Sequence, residues 1–445
     1  MEQSNSRTRI VEVRYDDLLA SKDLSREIEK VKGRFTGGTY IKYYDMRKGP
    51  LLRALPVTLV VVLSMCSDTA LTLNFDDDLP HQAFGEHGMG LLTVSGVPGL
   101  SEKRRSILHL AYAFASLPST VRAKYEHSLS SYSFGWSHGK ECLQEGRPDL
   151  LKGSYYANPL HDTPCSDQNL IEKYPAFLHP NIWPTADLPA LEPAFKDMGG
   201  LIVEVGALVA RQCDSYVSRM CPAYPPNRLE KIVRESRVCK ARLLHYFPII
   251  PEGKGPDGAA RGWEGTGEAW AGASEWCGWH NDHGSLTGLT SALYVDEEGE
   301  EVDFSDCFGK GVHGGLEKEE GGLFVLSRNG QVVKVNIPPD HLAFQIGETA
   351  QIHSGGLLKA TPHAVKGTTL AKRRLSRETF AVFMEPEMDE SMTMPAGRSR
   401  EDVTQKIGDR IHEKGAHVHL PSLDSRWEPG MSFADFTAKT LASYY

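Results

Sequence analysis

After residue 241 the chain is a succession of short apolar runs separated by turn residues, and this pattern constrains its fold more than any other feature. Arg328-Asn329-Gly330 lies between two such runs and is a typical hairpin turn. Many short strands joined by turns favour a jelly roll or a barrel. The strands are expected at residues 241–248, 289–295, 323–327, 331–336, 341–346, 350–353, 357–365 and 375–384.

Helical patterns lie mainly before these strands. Apolar residues recur at helical spacing over 100–127, where Pro118 should kink or split the helix, and again from about 190 to 219. We therefore predict a mainly β protein with helices (α+β), built on a double-stranded β-helix (jelly-roll) core. The domains are expected at 1–240 (helix-rich N-terminal region), 241–386 (jelly roll) and 387–445 (C-terminal helical extension).

Residues 31–82 interrupt a unit that otherwise resembles one helix running into the strand at 91–94. Their apolar run, 51–65, contains Arg53 and Pro56 and is too short for a spanning helix. A membrane anchor is therefore disfavoured. Our hypothesis is that 31–82 is an insert foreign to the fold, such as untranslated gene sequence, and is poorly ordered or packed at the surface.

The net charge and the cysteines of the chain restrict the functions and partners that we expect of it. The net charge is −9, and there is no basic block. Nucleic acid and anionic membranes are therefore not expected as partners, whereas a small-molecule substrate is. Eight widely spaced cysteines and the lack of an apolar N-terminal signal indicate free thiols and a cytoplasmic protein. The sequence says nothing about oligomeric state.

Two residues of metal-binding type, His280 and Asp282, are two positions apart and shortly precede an apolar, β-branched run at 289–295. On a strand, residues i and i+2 point to the same face, so one segment can present an imidazole and a carboxylate to one ion. Open metal sites that activate oxygen commonly use two histidines and one carboxylate. The pair therefore predicts a metal site whose second histidine comes from another part of the chain.

His363, which follows an apolar run, is our candidate for that histidine. His353, beside a Ser-Gly-Gly turn, is the competing candidate. His417 and His419 have ligand-like spacing but no evident third partner, so a loop or strand end is the preferred interpretation.

Arg374 and Ser376 are also two apart on a strand-like run, so a guanidinium and a hydroxyl would share a face and suit a carboxylate. Arg373 is the alternative if the register is shifted by one residue. His-x-Asp, a distant His and then Arg-x-Ser, in this order, resemble the iron- and 2-oxoglutarate-dependent dioxygenases of the isopenicillin N synthase-like family.

The resemblance implies that His280, Asp282 and His363 hold Fe(II) and that 2-oxoglutarate and O2 are co-substrates. Arg374 and Ser376 would bind the far carboxylate of 2-oxoglutarate. Family members often have a tyrosine just before the strand's proline, where this chain has Phe247, so His245 or Tyr246 would compensate. The implied reaction oxidises, typically hydroxylates, a small organic substrate and releases succinate and CO2. A jelly-roll binding protein without turnover, and an iron oxidase that does not use 2-oxoglutarate, remain as alternatives.

Overall fold

A computed structural model describes residues 10–20, 41–44, 59–62, 79–140, 149–248, 275–303, 321–328, 330–367, 374–404 and 420–444. The chain divides into two compact units, Leu19–Asp77 and the remainder, Met1–Leu18 with Asp78–Tyr445. In the smaller unit the structure describes one antiparallel pair, β2 (Ile41–Tyr44) and β3 (Leu59–Val62). His417, His419 and Arg373 lie outside the described residues.

The larger unit is organised around a nine-stranded sheet. Its strands lie in the order β1-β4-β13-β9-β15-β7-β6-β5, and β10 pairs with β15 off this path. The pairs are antiparallel except for β1 with β4. The strands are β1 (Val11–Arg14), β4 (Leu91–Ser95), β5 (Gly135–His138), β6 (Lys152–Ala157), β7 (Lys240–Tyr246), β9 (Leu286–Thr290), β10 (Leu293–Val295), β13 (Leu342–Ile346) and β15 (Ser376–Met384).

A second, antiparallel sheet has four strands in the order β12-β11-β14-β8. These are β8 (Glu275–His280), β11 (Gly322–Leu326), β12 (Val332–Val335) and β14 (His363–Lys366). One buried apolar cluster draws side chains from both sheets, so the two sheets enclose a common core. Its members include Leu91, Leu244, Tyr246 and Ala343 of the large sheet and Trp276, Leu323, Val325 and Val365 of the small one.

Helices pack on the outer face of the large sheet, and further helices form the C-terminal end of the chain. The longest, α7, buries an apolar stripe that includes Phe195, Ile202 and Val209. The helices are α1 (15–20), α2 (Leu79–Phe84), α3 (Leu100–Ala115), α4 (Ser119–Arg122), α5 (Gln168–Lys173), α6 (Pro175–Leu178), α7 (Leu191–Met220), α8 (Arg228–Glu235), α9 (Glu348–His353), α10 (Arg400–Thr404), α11 (Leu423–Arg426) and α12 (Phe433–Tyr444), with 3-10 turns at Ala123–Tyr125 and Ser128–Ser130.

The expected mixture of strands and helices is confirmed, and the structure arranges the strands in large, mainly antiparallel sheets. Four strands that precede residue 241, namely β1, β4, β5 and β6, belong to the same sheet as β7, β9, β13 and β15. The strand predicted at 350–353 is wrong, because these residues belong to helix α9. A short apolar run does not by its pattern distinguish a strand from one buried helical turn.

Among the described helices, none combines the length and the apolar character needed to cross a membrane. Five cysteines of the described chain, Cys165, Cys213, Cys221, Cys239 and Cys277, are free thiols.

The insert hypothesis concerns the connection between the parallel strands β1 and β4. Parallel neighbours need a crossover connection, and here it begins with α1 and ends with α2. Helix α2 starts at Leu79, and Pro80 is buried, so residues 79–82 belong to the larger unit. Most of 31–82 lies outside the described residues, and its foreign origin stays a prediction.

Deletion of residues 31–78 tests that prediction. We expect a soluble protein whose free energy of unfolding is within about 2 kcal/mol of the full chain, because a shorter loop changes the closure entropy only slowly. Urea denaturation of both proteins measures the difference. Deletion of 31–82 is the comparison and should be more harmful, since it also removes part of α2. An aggregated product from the 31–78 deletion would show that the segment is integral to the fold.

Candidate metal centre

Two of the predicted ligands lie opposite each other on neighbouring strands. His280 ends β8 and His363 begins β14, and the two are paired in the antiparallel ladder. Their ring centroids are 4.3 Å apart. The next pair is Val365 with Cys277, so β8 has one extra residue there, as in a β-bulge. The sheet therefore brings together two histidines that are 83 positions apart in the chain.

Asp282 completes the cluster from the loop that follows β8. Its Oδ1 lies 3.9 Å from His280 Nε2 and 3.7 Å from His363 Nε2. One ligand atom from each of the three residues lies within 4.8 Å of the other two. The Oδ2 atom of Asp282 is buried and has no hydrogen-bond partner among the described residues. A buried, unpartnered carboxylate oxygen beside two imidazole nitrogens fits a bound cation.

Backbone carbonyls orient both imidazoles. His280 Nδ1 lies 2.8 Å from the carbonyl oxygen of Gly278, and His363 Nδ1 lies 3.1 Å from that of Thr361. A carbonyl can only accept, so in each ring Nδ1–H donates and Nε2 is the nitrogen left to face an ion. Both Nε2 atoms lie on the side of Asp282, which is the arrangement typical of metal-binding histidines. Two imidazole nitrogens and one carboxylate form the donor set of open Fe(II) sites.

The two histidines differ in their proton affinity. Burial would lower the pKa of His280, but the neighbouring Cys277 and Asp282 outweigh it and raise the pKa to about 9. For His363, burial and then the charge of His280 lower the pKa to about 4. A ligand imidazole must be neutral, so a metal ion has to displace a proton from His280 but not from His363 at neutral pH.

His353, the competing third ligand, lies elsewhere. It ends α9, is 2% exposed, and its Nε2 lies 3.1 Å from the carbonyl oxygen of Ser391. The cluster of three ligands contains His363 and not His353. His353 is therefore a buried, neutral histidine of the core.

His353 predicts an acid dependence of stability. Burial, and then the charge of Arg228, lower its pKa from 6.5 to about 3. Between these values only the unfolded chain takes up the proton. The free energy of unfolding should therefore fall as the pH drops below 6.5, by up to about 1.4 kcal/mol per pH unit from this group. Urea denaturation of metal-free wild type and His353→Gln at pH 7 and 5.5 measures it. Between pH 7 and 5.5 the free energy of unfolding of His353→Gln should fall by about 1–2 kcal/mol less than that of wild type. Equal decreases in the two proteins would contradict a neutral, buried His353.

The predicted co-substrate residues do not lie together. Tyr246 is in the core cluster between the sheets. His245, the next residue back, lies on the opposite face, where its Nδ1 is 2.9 Å from Glu378 Oε1 and its ring is 6.2 Å from that of Tyr112 in α3. His245 is thus engaged in a hydrogen bond with Glu378 beneath the helices.

Arg374 and Ser376 also differ from the prediction. The Arg374 guanidinium is 35% exposed and lies 3.3 Å from Glu297. Ser376 donates its hydroxyl to the carbonyl oxygen of Val295 in β10, at 3.3 Å. Ser376 and Glu378 alternate with Arg377, so they face the helices and not the space between the sheets. This placement corrects the expectation that Arg374 and Ser376 line the site.

Arg377, unlike Arg374 and Ser376, faces the space between the sheets. It is paired with Tyr246 in the β15–β7 ladder, is 6% exposed, and its Cζ lies 5.1 Å from the centre of the Tyr246 ring. Within the described residues, its Nε and Nη1 are buried without a hydrogen-bond partner. Thr379, 8% exposed, follows two positions later on the same face. The same arginine-x-hydroxyl spacing was present in the sequence at 377–379 and could have been found there.

The sequence matches no protein-family model and no curated protein. The structure is similar to solved ones. One is a protein from Caulobacter crescentus assigned to the 2OG-Fe(II) oxygenase family, with 18% identity, a TM-score of 0.55, and coverage of 83% of this chain and 96% of that one. Another is a full-length Neurospora crassa protein in complex with alpha-KG and 5-formyluracil, with 14% identity, a TM-score of 0.56 and 100% coverage of both chains. The same Neurospora protein in complex with alpha-KG has 16% identity, a TM-score of 0.54, and coverage of 83% and 90%. At these identities the likeness establishes a shared fold.

Proposed function

We propose that this protein is an Fe(II)- and 2-oxoglutarate-dependent dioxygenase that oxidises a small organic substrate and releases succinate and CO2. The observation that carries the proposal is the convergence of His280, Asp282 and His363, whose ligand atoms lie within 4.8 Å of one another. The fold shared with the Neurospora crassa protein, which was solved with alpha-KG, supports the same conclusion.

We infer that the two sheets form the double-stranded β-helix expected from the sequence. The support is the common core between them, to which both sheets contribute side chains. The metal centre would then lie at one end of this core, where β8 ends and β14 begins. Such a position gives substrates access while the apolar interior limits water.

Arg377 and Thr379 are our candidates for binding the far carboxylate of 2-oxoglutarate. The guanidinium of Arg377 is buried on the inner face and has donors without partners among the described residues. A buried cation without a partner is costly, and a carboxylate would satisfy it with charge-assisted hydrogen bonds. Tyr246, on which Arg377 stacks, fixes the plane of the guanidinium.

In the proposed mechanism, His280, Asp282 and His363 would hold Fe(II), which would supply the oxygen chemistry. A centre with three protein ligands would leave the ion accessible to 2-oxoglutarate and O2. The carbonyls of Gly278 and Thr361 accept from Nδ1–H, so Nε2 of each histidine is the nitrogen directed at the ion. Arg377 orients 2-oxoglutarate by its far end, and the core residues exclude water from the reacting groups.

One observation favours a second candidate, an oxidase of the same fold that does not use 2-oxoglutarate. Phe247 supplies no hydroxyl at the end of β7, and its ring packs against His245, with centroids 4.4 Å apart, and His138, at 4.7 Å. The missing hydrogen bond would cost about 1 kcal/mol of co-substrate binding. The metal centre would be the same in both candidates.

An anaerobic titration of the protein with Fe(II) and then 2-oxoglutarate, followed by visible absorption, separates these functions. The dioxygenase should bind both and, on admission of O2, form succinate from 2-oxoglutarate. A screen of small metabolites then identifies compounds that stimulate succinate formation. Iron binding without any effect of 2-oxoglutarate would favour the oxidase. Binding of both without turnover in the screen would favour a binding protein.

A further inference from the structure

The C-terminal segment 420–444, here called the tail, places a buried arginine close to the metal centre. Arg426, the last residue of α11, and Glu348, the first of α9, are each 2% exposed. Arg426 Nη1 donates to Glu348 Oε2 at 2.8 Å, and Nη2 donates to Oε1 at 2.7 Å. Nη1 also donates to Thr440 Oγ1 of α12 at 2.9 Å. The two ends of this buried ion pair are 78 positions apart in the chain.

Glu348 in turn holds the loop that carries the metal ligands. Asn281, which lies between His280 and Asp282, donates its Nδ2–H to Glu348 Oε1 at 3.2 Å. The backbone N–H of Glu348 donates to the carbonyl oxygen of Asp282 at 2.8 Å. One residue therefore contacts the ligand loop through both its side chain and its main chain.

The start of α9 packs closely against the same loop. Thr349 Oγ1 donates to the carbonyl oxygen of His283 at 2.6 Å. A Cβ atom added at Gly347 would lie 2.1 Å from the carbonyl oxygen of Gly284. Movement of α9 would therefore move the backbone on which Asp282 lies.

The contact between Glu348 and the loop that carries the metal ligands depends on the tail, because Arg426 in the tail balances the charge of Glu348. Arg426 supplies the counter-charge of the buried Glu348 carboxylate. Without Arg426 this carboxylate would be an isolated buried charge, which is unstable, so its side chain would shift or draw in water. This change displaces the oxygen that accepts the hydrogen bond from Asn281.

We propose that Arg426 is a positioning residue for the metal centre, acting through Glu348 and Asn281 on the loop that carries His280 and Asp282. The inference rests on the proposed function, since it concerns the affinity of that metal site. A purely structural ion pair would attach the tail and change stability without changing metal affinity.

Metal affinity of the full-length protein tests the proposal without any turnover. Dissociation constants for Fe(II) under anaerobic conditions, and for Co(II) as a spectroscopic substitute, are measured by chelator competition. Arg426→Met and Glu348→Gln should each weaken binding about tenfold to a hundredfold, as residues that support metal ligands typically do. The double variant, E348Q with R426M, should return to within about threefold of wild type, because glutamine still accepts from Asn281 and no charge is left unpaired.

Two further variants keep the test decisive. Asn281→Ala leaves the ion pair intact, so it reports on the link to the ligand loop even if R426M fails to fold. Arg211→Met breaks another ion pair, in which Arg211 Nε donates to Glu230 Oε2 at 2.8 Å between α7 and α8. It should lower the melting temperature and leave metal affinity unchanged.

The results separate the two ideas. Weaker metal binding in R426M, E348Q and N281A, restored in the double variant, supports the positioning role. Wild-type affinity in these single variants, or an equal loss in R211M, overturns it while leaving the proposed function intact. A wild-type protein that binds neither Fe(II) nor Co(II) overturns the proposed function and this inference with it.

Discussion

Replacement of Asp282 by alanine is expected to abolish iron binding and, with it, 2-oxoglutarate turnover. Asp282 is the one carboxylate of the cluster, and its Oδ1 is within 4 Å of both histidine Nε2 atoms. Its loss leaves two neutral nitrogen ligands and no negative charge for a divalent cation. We expect the Fe(II) dissociation constant to rise more than about a hundredfold, since loss of a ligand should exceed the 10–100-fold typical of its supporting residues. Anaerobic chelator competition measures it.

A matched control is Asp214→Asn. Asp214 is also a buried carboxylate, 2% exposed, but it accepts hydrogen bonds from Tyr224 Oη at 2.6 Å and from the backbone N–H of Glu230 at 2.8 Å, between α7 and α8. This variant should lower stability and retain wild-type iron affinity. If Asp282→Ala still bound Fe(II) with wild-type affinity, the three-residue centre would be refuted.

Replacement of Arg377 by alanine should raise the 2-oxoglutarate concentration required for half-maximal turnover by about tenfold to a hundredfold. Hydrogen bonds to charged groups contribute about 1.5–3 kcal/mol, and each 1.4 kcal/mol corresponds to a factor of ten. The guanidinium faces the core beside Tyr246, so its loss removes an inward cation. The maximal rate should change less, because the metal ligands stay in place. Steady-state succinate formation measures both.

Arg374→Ala is the control, although the sequence analysis had assigned the 2-oxoglutarate carboxylate to Arg374 and not to Arg377. Its guanidinium is partly exposed and pairs with Glu297, so we expect a change of less than about threefold. Arg377→Lys should fall between wild type and alanine, because lysine keeps the charge but loses the planar pair of donors. A large effect of Arg374→Ala with none of Arg377→Ala would restore the original assignment.

The three residues of the candidate metal centre were predictable because each depends on local pattern. The i, i+2 spacing of His280 and Asp282 and the strand-like run near His363 were readable from the sequence, and the structure brings these three residues together. The choice of His363 over His353 rested on the apolar run before His363, whereas His353 lay in a predicted strand that the structure shows to be helix α9.

The candidate arginine for the co-substrate could not be chosen in the same way. Arg374 with Ser376 and Arg377 with Thr379 have the same spacing, but their positions differ by three residues, and an odd shift exchanges the two faces of a strand. Only the ladder between β15 and β7, which pairs Arg377 with Tyr246, decides which arginine is directed into the core.

The sequence by itself therefore determined the composition of the candidate metal centre, which is two imidazoles and one carboxylate. The tertiary structure decided which face of β15 is buried and that the tail reaches the ligand loop through Arg426 and Glu348. The physical reason is that spacing along a strand acts over a few residues, whereas strand register and the pairing of buried charges are set by packing between distant segments.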